Sequence, residues 1–230
     1  MCIRDSFSTV DTAGARAILI VSPGNPTGAF LSPADHARLA SFGLPLLIDE
    51  VFAPYPFGEP PPPLGPDDVL TFHLGGLSKG AGLPQLKLGW IRVGGPAASR
   101  RDALERLELI ADSYLSVATP VMLAAPRLLR IGADLRARLL ARVRENRAAL
   151  TAAATAGGFE VLRAQAGWSA ILRFPRVASD EELALRLLET EGVLVHPGYF
   201  FDLPIESCLV VSLLAPPDVF SRGLEGLRRL

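Results

Sequence analysis

Sulfur is scarce in this chain: 230 residues carry two cysteines, Cys2 and Cys208, and two methionines. A disulfide scaffold is thereby excluded, and with only three histidines no metal site is expected. That cysteine usage points to a reducing, cytoplasmic setting. No apolar run approaches the roughly 20 residues needed to span a bilayer, and Met1 to Ala13 contain no apolar core of a signal peptide. An excess of one charge is missing too. The 23 basic and 24 acidic residues leave a net charge of −1, which argues against nucleic acid or an anionic membrane as partner. What is plentiful is apolar content, 49%, enough for a substantial core in one large domain or one and a half.

Lysine is the scarcest charged residue. Only Lys79 and Lys87 are present among the 23 basic residues, both within GGLSKGAGLPQLKLGW. An arginine-favouring genome accounts for the bias in general. A lysine kept against that bias also suits chemistry that a guanidinium cannot do, since only a primary amine forms a Schiff base or loses its proton near neutral pH.

Hydrophobic patterning predicts an α/β first part. Ala17–Ser22 reads as a buried strand ending in the turn PGNPTG. Ser32-Pro33-Ala34-Asp35 opens a helix to about Phe42, with a serine cap and proline in the first turn. Leu44–Val51 is a second strand with Asp49 and Glu50 at its carboxyl end. Pro54–Pro66 is a proline-rich loop, and Val69–Leu74 and Leu86–Val93 are further strands. Strand, helix, strand, loop, strand implies a mainly parallel sheet, whose ligands gather at the carboxyl ends of its strands; Asn25, Asp49 and Lys79 all fall there. Beyond Ala97 the pattern is helical: Ala98–Val117, Pro120–Arg130 and Ala133–Ala156, the last with an arginine-rich face read as solvated. A small α+β part follows. Its strands are expected near Phe159–Arg163, Ser169–Phe174, Val193–His196 and Leu209–Leu214, and its helices start at Asp180 and Pro217. The expected domains are 1–131 and 132–230.

The order of motifs is more specific than any one of them. NPTG, then a strand ending in DEVF, then GLSK with a basic residue eight positions on and GW after it, resembles the class I/II aminotransferases. The later GVLVHPGYFF and LVVSLLA segments resemble that family's carboxyl-terminal domain. The resemblance implies the family's three-layer, fold type I large domain followed by a small α+β domain, and a pyridoxal phosphate (PLP)-dependent transferase. Lys79 would be the catalytic, Schiff-base lysine. Asp49 would pair with the protonated ring nitrogen and keep the ring an electron sink. Asn25 would donate to the 3′-oxygen across a cis Asn25–Pro26 bond, while Ser78 and Lys87 would hold the phosphate. Phe52 takes the place of the tyrosine that usually reaches the 3′-oxygen. An amino donor, a keto-acid acceptor and a homodimeric partner are implied.

Several positions depart from the family. Lys87 replaces an arginine, Gly76 a serine, and Val210 the arginine that grips the substrate's α-carboxylate. Arg173 is one candidate replacement cation, although a surface role suits it better. Trp168 and Cys208 read as core residues, His36 and His73 as structural, and His196 and Tyr199 as possible neighbours of the pocket. The family's amino-terminal half has no counterpart before NPTG. The chain therefore reads as a fragment, with Met1 to Ser8 leading into nothing and little activity expected of it alone. A lyase or decarboxylase on the same fold, or a domain that only senses PLP, are the alternatives. A phosphate-binding loop at GGLSKGAG is excluded, because glycine does not precede Lys79 and no serine or threonine follows it.

Overall fold

The computed structural model describes residues 11–114 and 116–230. Cys2 and the Met1–Ser8 segment lie outside the described residues. Contacts divide the chain into two units. The first takes the residues through Ser22, Phe30–Val51 and Pro60–Ala133; the second takes Pro23–Ala29, Phe52–Glu59 and Asp134–Leu230.

In the first unit, strands β1 (Ile18–Val21), β2 (Leu46–Asp49), β3 (Thr71–Gly76) and β4 (Gly89–Gly94) form a sheet in that order. β1, β2 and β3 are parallel, and β4 closes the sheet antiparallel to β3. Helix α1 (Pro33–Ala40) starts as its sequence dictates: the Ser32 side chain accepts from the Asp35 amide, and Pro33 opens the first turn. Its Leu39 packs with Ile20, Leu31, Leu46 and Ile48 in the core of this unit. After β3 the chain makes a single helical turn, α2 (Leu77–Gly80), and a 3-10 turn over Pro84–Leu86. The expected strand start at Leu86 is thus displaced to Gly89. Pro84 favours the turn, and Lys87 ends it in the left-handed region at φ 51°. Helix α3 spans Ala97–Ser113.

The two helices expected over Pro120–Arg130 and Ala133–Ala156 are one, α4 (Thr119–Gly157), with Pro126 inside it. Gly132, where a break was expected, lies so close to Ala81 that a Cβ there would overlap the alanine methyl. The glycine serves packing, not termination.

The second unit has its own antiparallel sheet, in the order β5 (Glu160–Val161), β6 (Ser169–Arg173), β8 (Cys208–Ser212), β7 (His196–Pro197). Leu209, Val211 and Leu213 face a large core with Leu172, Leu150, Leu187 and Phe220. Helix α5 (Asp180–Glu191) carries a complete capping box between Ser179 and Glu182, and α6 spans Pro217–Leu227. The arginine face of α4 is not simply solvated. Arg144 donates to the carbonyls of Pro56 and Gly58, Arg147 lies 4.4 Å over the Phe57 ring, and Arg142 donates to the Leu214 carbonyl. Between them, buried Asn146 donates to the carbonyls of Leu213 and Ala215. These backbone acceptors are distant in sequence, so periodicity could not reveal them.

Candidate active site

Asp49 is the last residue of β2 and pairs in register with Leu74 of β3. Two further residues of β3 lead directly into the α2 turn that carries Ser78 and Lys79. On β4, Gly89 pairs with Gly76, so Lys87 precedes β4 at this same edge. The first unit thus collects a carboxylate, a hydroxyl and both lysines of the chain at the carboxyl end of its parallel strands. In such sheets that edge is where ligands bind.

Local bonds hold the edge in shape. The Asp49 carbonyl accepts from the Ser22 amide at 2.9 Å, and the Glu50 amide donates to the Leu74 carbonyl at 3.0 Å, extending the ladders beyond β2. Asp49 Oδ1 accepts from the Val51 amide at 3.0 Å, which fixes the side-chain direction. Below Lys79, the fully buried Leu77 anchors α2. Its amide donates to the Leu88 carbonyl, and its own carbonyl accepts from the amides of Ala81 and Leu83. Ser78 and Lys79 are half-buried and Lys87 is exposed.

Asn25 and Phe52 belong to the second unit. The Asn25–Pro26 bond is cis. Gly28 has φ +65°, and a Cβ there would overlap the Ala166 carbonyl, which explains glycine at the end of the NPTG turn. The Gly28 carbonyl accepts from the amides of Gln165 and Ala166. Phe52 packs edge-on against Trp168 at 5.5 Å, and Trp168 packs the same way against Tyr55 at 4.9 Å. Tyr55 is fully buried, and burial pushes its phenol up to about 12 against the lowering effect of Arg136. A phenol so enclosed is no substitute for the tyrosine that Phe52 replaces.

Val210 is only 3% exposed, packed with Ile171, Cys208, Phe201, Leu203 and Ile205 on the sheet face opposite the large core. Arg173 is occupied by an ion pair with Glu160 on the neighbouring strand, the surface role that suits it. Cys208 is buried beside Asp180, whose carboxylate accepts from the Cys208 amide at 2.7 Å. Burial first, then that carboxylate, push its thiol up to about 12, so it is unreactive at neutral pH. His196 and Tyr199 are exposed, and Tyr199 stacks edge-on against Phe200.

The first unit also holds a polar cluster that the sequence did not announce. His73 of β3 is buried, with Nδ1 2.9 Å from Glu50 and Nε2 3.3 Å from Asp67, which follows the proline-rich loop. Asp67 also faces His36 at 3.6 Å and Arg92 at 3.7 Å. A histidine in mid-strand gives no sign of which carboxylates will reach it. Among the described residues no group of three or more His, Cys, Asp or Glu could hold a metal ion, and no helix is long and apolar enough to cross a membrane.

Known proteins resemble this chain in sequence and in fold. The family model for aminotransferase class I and II matches residues 7–219. Capreomycidine synthase of Streptomyces vinaceus is 31% identical over 97% of the chain and 57% of its own length. Glutamate-pyruvate aminotransferase of Escherichia coli is 28% identical over 50% of the chain and 30% of its own. Among solved structures, alanine aminotransferase from Pyrococcus furiosus superposes with a TM-score of 0.82 at 20% identity, covering 99% of the chain and 60% of its own. An aromatic aminotransferase from Pyrococcus horikoshii gives 0.81 at 19% identity, over 100% and 63%. These structures share the fold. The chain spans roughly 60% of the length of the relatives that align along all of it. From the motif order, the arrangement of acid and lysines at the sheet edge, and the family match, the chain belongs to the class I and II aminotransferases, a PLP-dependent family.

Proposed function

We propose that this chain carries the lysine and carboxylate of a PLP-dependent aminotransferase, with Lys79 as its reactive amine. The observation that carries the reading is the shared sheet edge: Asp49 closes β2, and Lys79 lies on the helical turn that follows the neighbouring parallel strand. The donor set fits the cofactor: an amine for an aldehyde, a carboxylate for a basic ring nitrogen, a hydroxyl and a second ammonium for a phosphate.

When bound, PLP withdraws electrons from the bonds at the substrate's α-carbon. Each residue has a task around that chemistry. Lys79 would hold the cofactor through its ε-amine, with loss of water, and, once displaced by the substrate's amine, would be the base placed to take the proton of the α-carbon. Asp49, with Oδ1 held by the Val51 amide, presents its carboxylate to the ring nitrogen and keeps that nitrogen protonated. Ser78 and Lys87 bind the phosphate. For Asn25 as donor to the 3′-oxygen, and Phe52 as an apolar neighbour of the ring, the support is motif order alone.

The family's two-domain division is assigned to 1–131 and 132–230. A cytoplasmic homodimer completes the proposal. The scarcity of cysteine supports a reducing setting, and the exposed apolar side chains of α3 and α4, including Leu109, Ile110 and Leu123, support a partner surface.

A second reading keeps the cofactor and changes the bond broken. It is favoured by the relative named a synthase, which aligns over 97% of the chain. Turnover of amino acids by the PLP-loaded chain, with and without a 2-keto acid, separates the two. Aminotransfer predicts consumption that requires the acceptor and yields its amino acid. Turnover without an acceptor would contradict it.

A further inference from the structure

We propose that His73 is a positioning residue for Asp49, strapping the neighbouring Glu50 to one face of the sheet so that the Asp49 carboxylate is turned to the other. The inference rests on the reading of Asp49 as the carboxylate for the cofactor's ring nitrogen.

Successive side chains along a strand point to opposite faces. Ile48 pairs with His73 and Asp49 with Leu74, and the Glu50 amide continues the ladder to the Leu74 carbonyl. Residues 48, 49 and 50 therefore alternate, and Glu50 falls on the face of His73, where its carboxylate meets Nδ1 at 2.9 Å. While that contact holds, the backbone at the end of β2 cannot rotate, and Asp49 stays on the opposite face.

The strap is anchored from several elements. Asp67 faces Nε2 of His73, with His36 of α1 and Arg92 of β4 on the same carboxylate. Gly94 makes room for it, because a Cβ there would overlap the Asp67 carboxylate. Each ring nitrogen of His73 faces a carboxylate, and only the doubly protonated ring can donate to both. The charges facing the ring agree. Burial opposes the cation and Arg92 adds to that, but the bond and charge of Glu50, with the charge of Asp67, raise the imidazole above its ordinary value.

Amide hydrogen exchange of the full chain, followed by NMR, tests this without cofactor. The Val51 amide reports the Asp49 carboxylate that it binds, while those of Ser22, Leu46 and Glu50 report the ladders. In His73→Leu, Val51 should exchange about tenfold faster or more, with the ladder amides within about twofold of native. His73→Asn, whose amide N–H can replace Nδ1–H toward Glu50, should restore Val51. Glu50→Ala should repeat the leucine variant's effect, and it decides the matter if His73→Leu fails to fold. An unchanged Val51 in Glu50→Ala, or all four amides accelerating together there, would overturn the proposal. These readouts need no cofactor, so failure of the enzymatic reading is seen separately, in labelling of Lys79.

Discussion

Val210 shows how a reading from resemblance can mislead about its remedy. By that reading it stands where the family has a carboxylate-binding arginine, and restoring that arginine looks like a way to restore amino-acid binding. The structure predicts otherwise. Ile171, Cys208, Phe201, Leu203 and Ile205 surround the side chain, and the nearby Asp180 carboxylate is already bonded to the Cys208 amide. Val210→Arg should therefore destabilise the chain by about 3–5 kcal/mol, the usual cost of a buried charge left without its partner. Urea unfolding checks it; a variant as stable as the native chain would mean that the strand yields and lets a guanidinium reach solvent. Other single residues were legible because their environment is local or generic. Cys208 reads as core from its type alone, and Arg173 finds its partner on the next strand. His73 was not legible: its carboxylates lie 23 residues upstream and 6 upstream, one at a strand end and one just after a proline-rich loop.

At the scale of elements, ends set by local chemistry were readable and ends set by distant packing were not. The Ser32 cap of α1 and the capping box of α5 are fixed by side chains three residues apart, and both form as their sequence predicts. The break expected near Ile131 failed because Gly132 is a packing residue against Ala81, a neighbour some fifty positions away. That gives a prediction whose sign opposes helix propensity. Gly→Ala inside a helix ordinarily stabilises by about 0.5–1 kcal/mol. Here the new methyl would overlap that of Ala81, so Gly132→Ala should destabilise by about 1–3 kcal/mol. The double variant with Ala81→Gly should recover only part of the loss, because the new methyl would still lie 2.8 Å from the Cα of residue 81. Thermal unfolding of the single and double variants measures both; stabilisation by Gly132→Ala alone would contradict the packing. The arginine face of α4, with Arg138 and Arg144 exposed, was legible only in part for the same reason. Arg144 and Asn146 bond to carbonyls that the helix pattern cannot foresee.

For the whole molecule, the family was legible because its motifs come in a fixed order, and that order survives where individual residues have changed. The folded chain adds a pH dependence that motifs do not carry. His73 is raised above its unfolded value of about 6.5 by contacts that exist only in the folded state. Its contribution to stability is therefore present in full below about pH 6.5 and is lost as pH rises through the raised value. Urea midpoints measured from about pH 6 to 9 should decline across that window in the native chain and not in His73→Asn. Equal slopes would show that the imidazole does not hold the proton that its two carboxylates require. The central claim concerns the carboxyl edge of these strands, where Asp49, Ser78, Lys79 and Lys87 lie together. Incubation of the chain with PLP, borohydride reduction and peptide mapping tests it most directly. The account predicts a reduced, covalent label on Lys79 and none on Lys87; a label on Lys87, or on neither lysine, would contradict it.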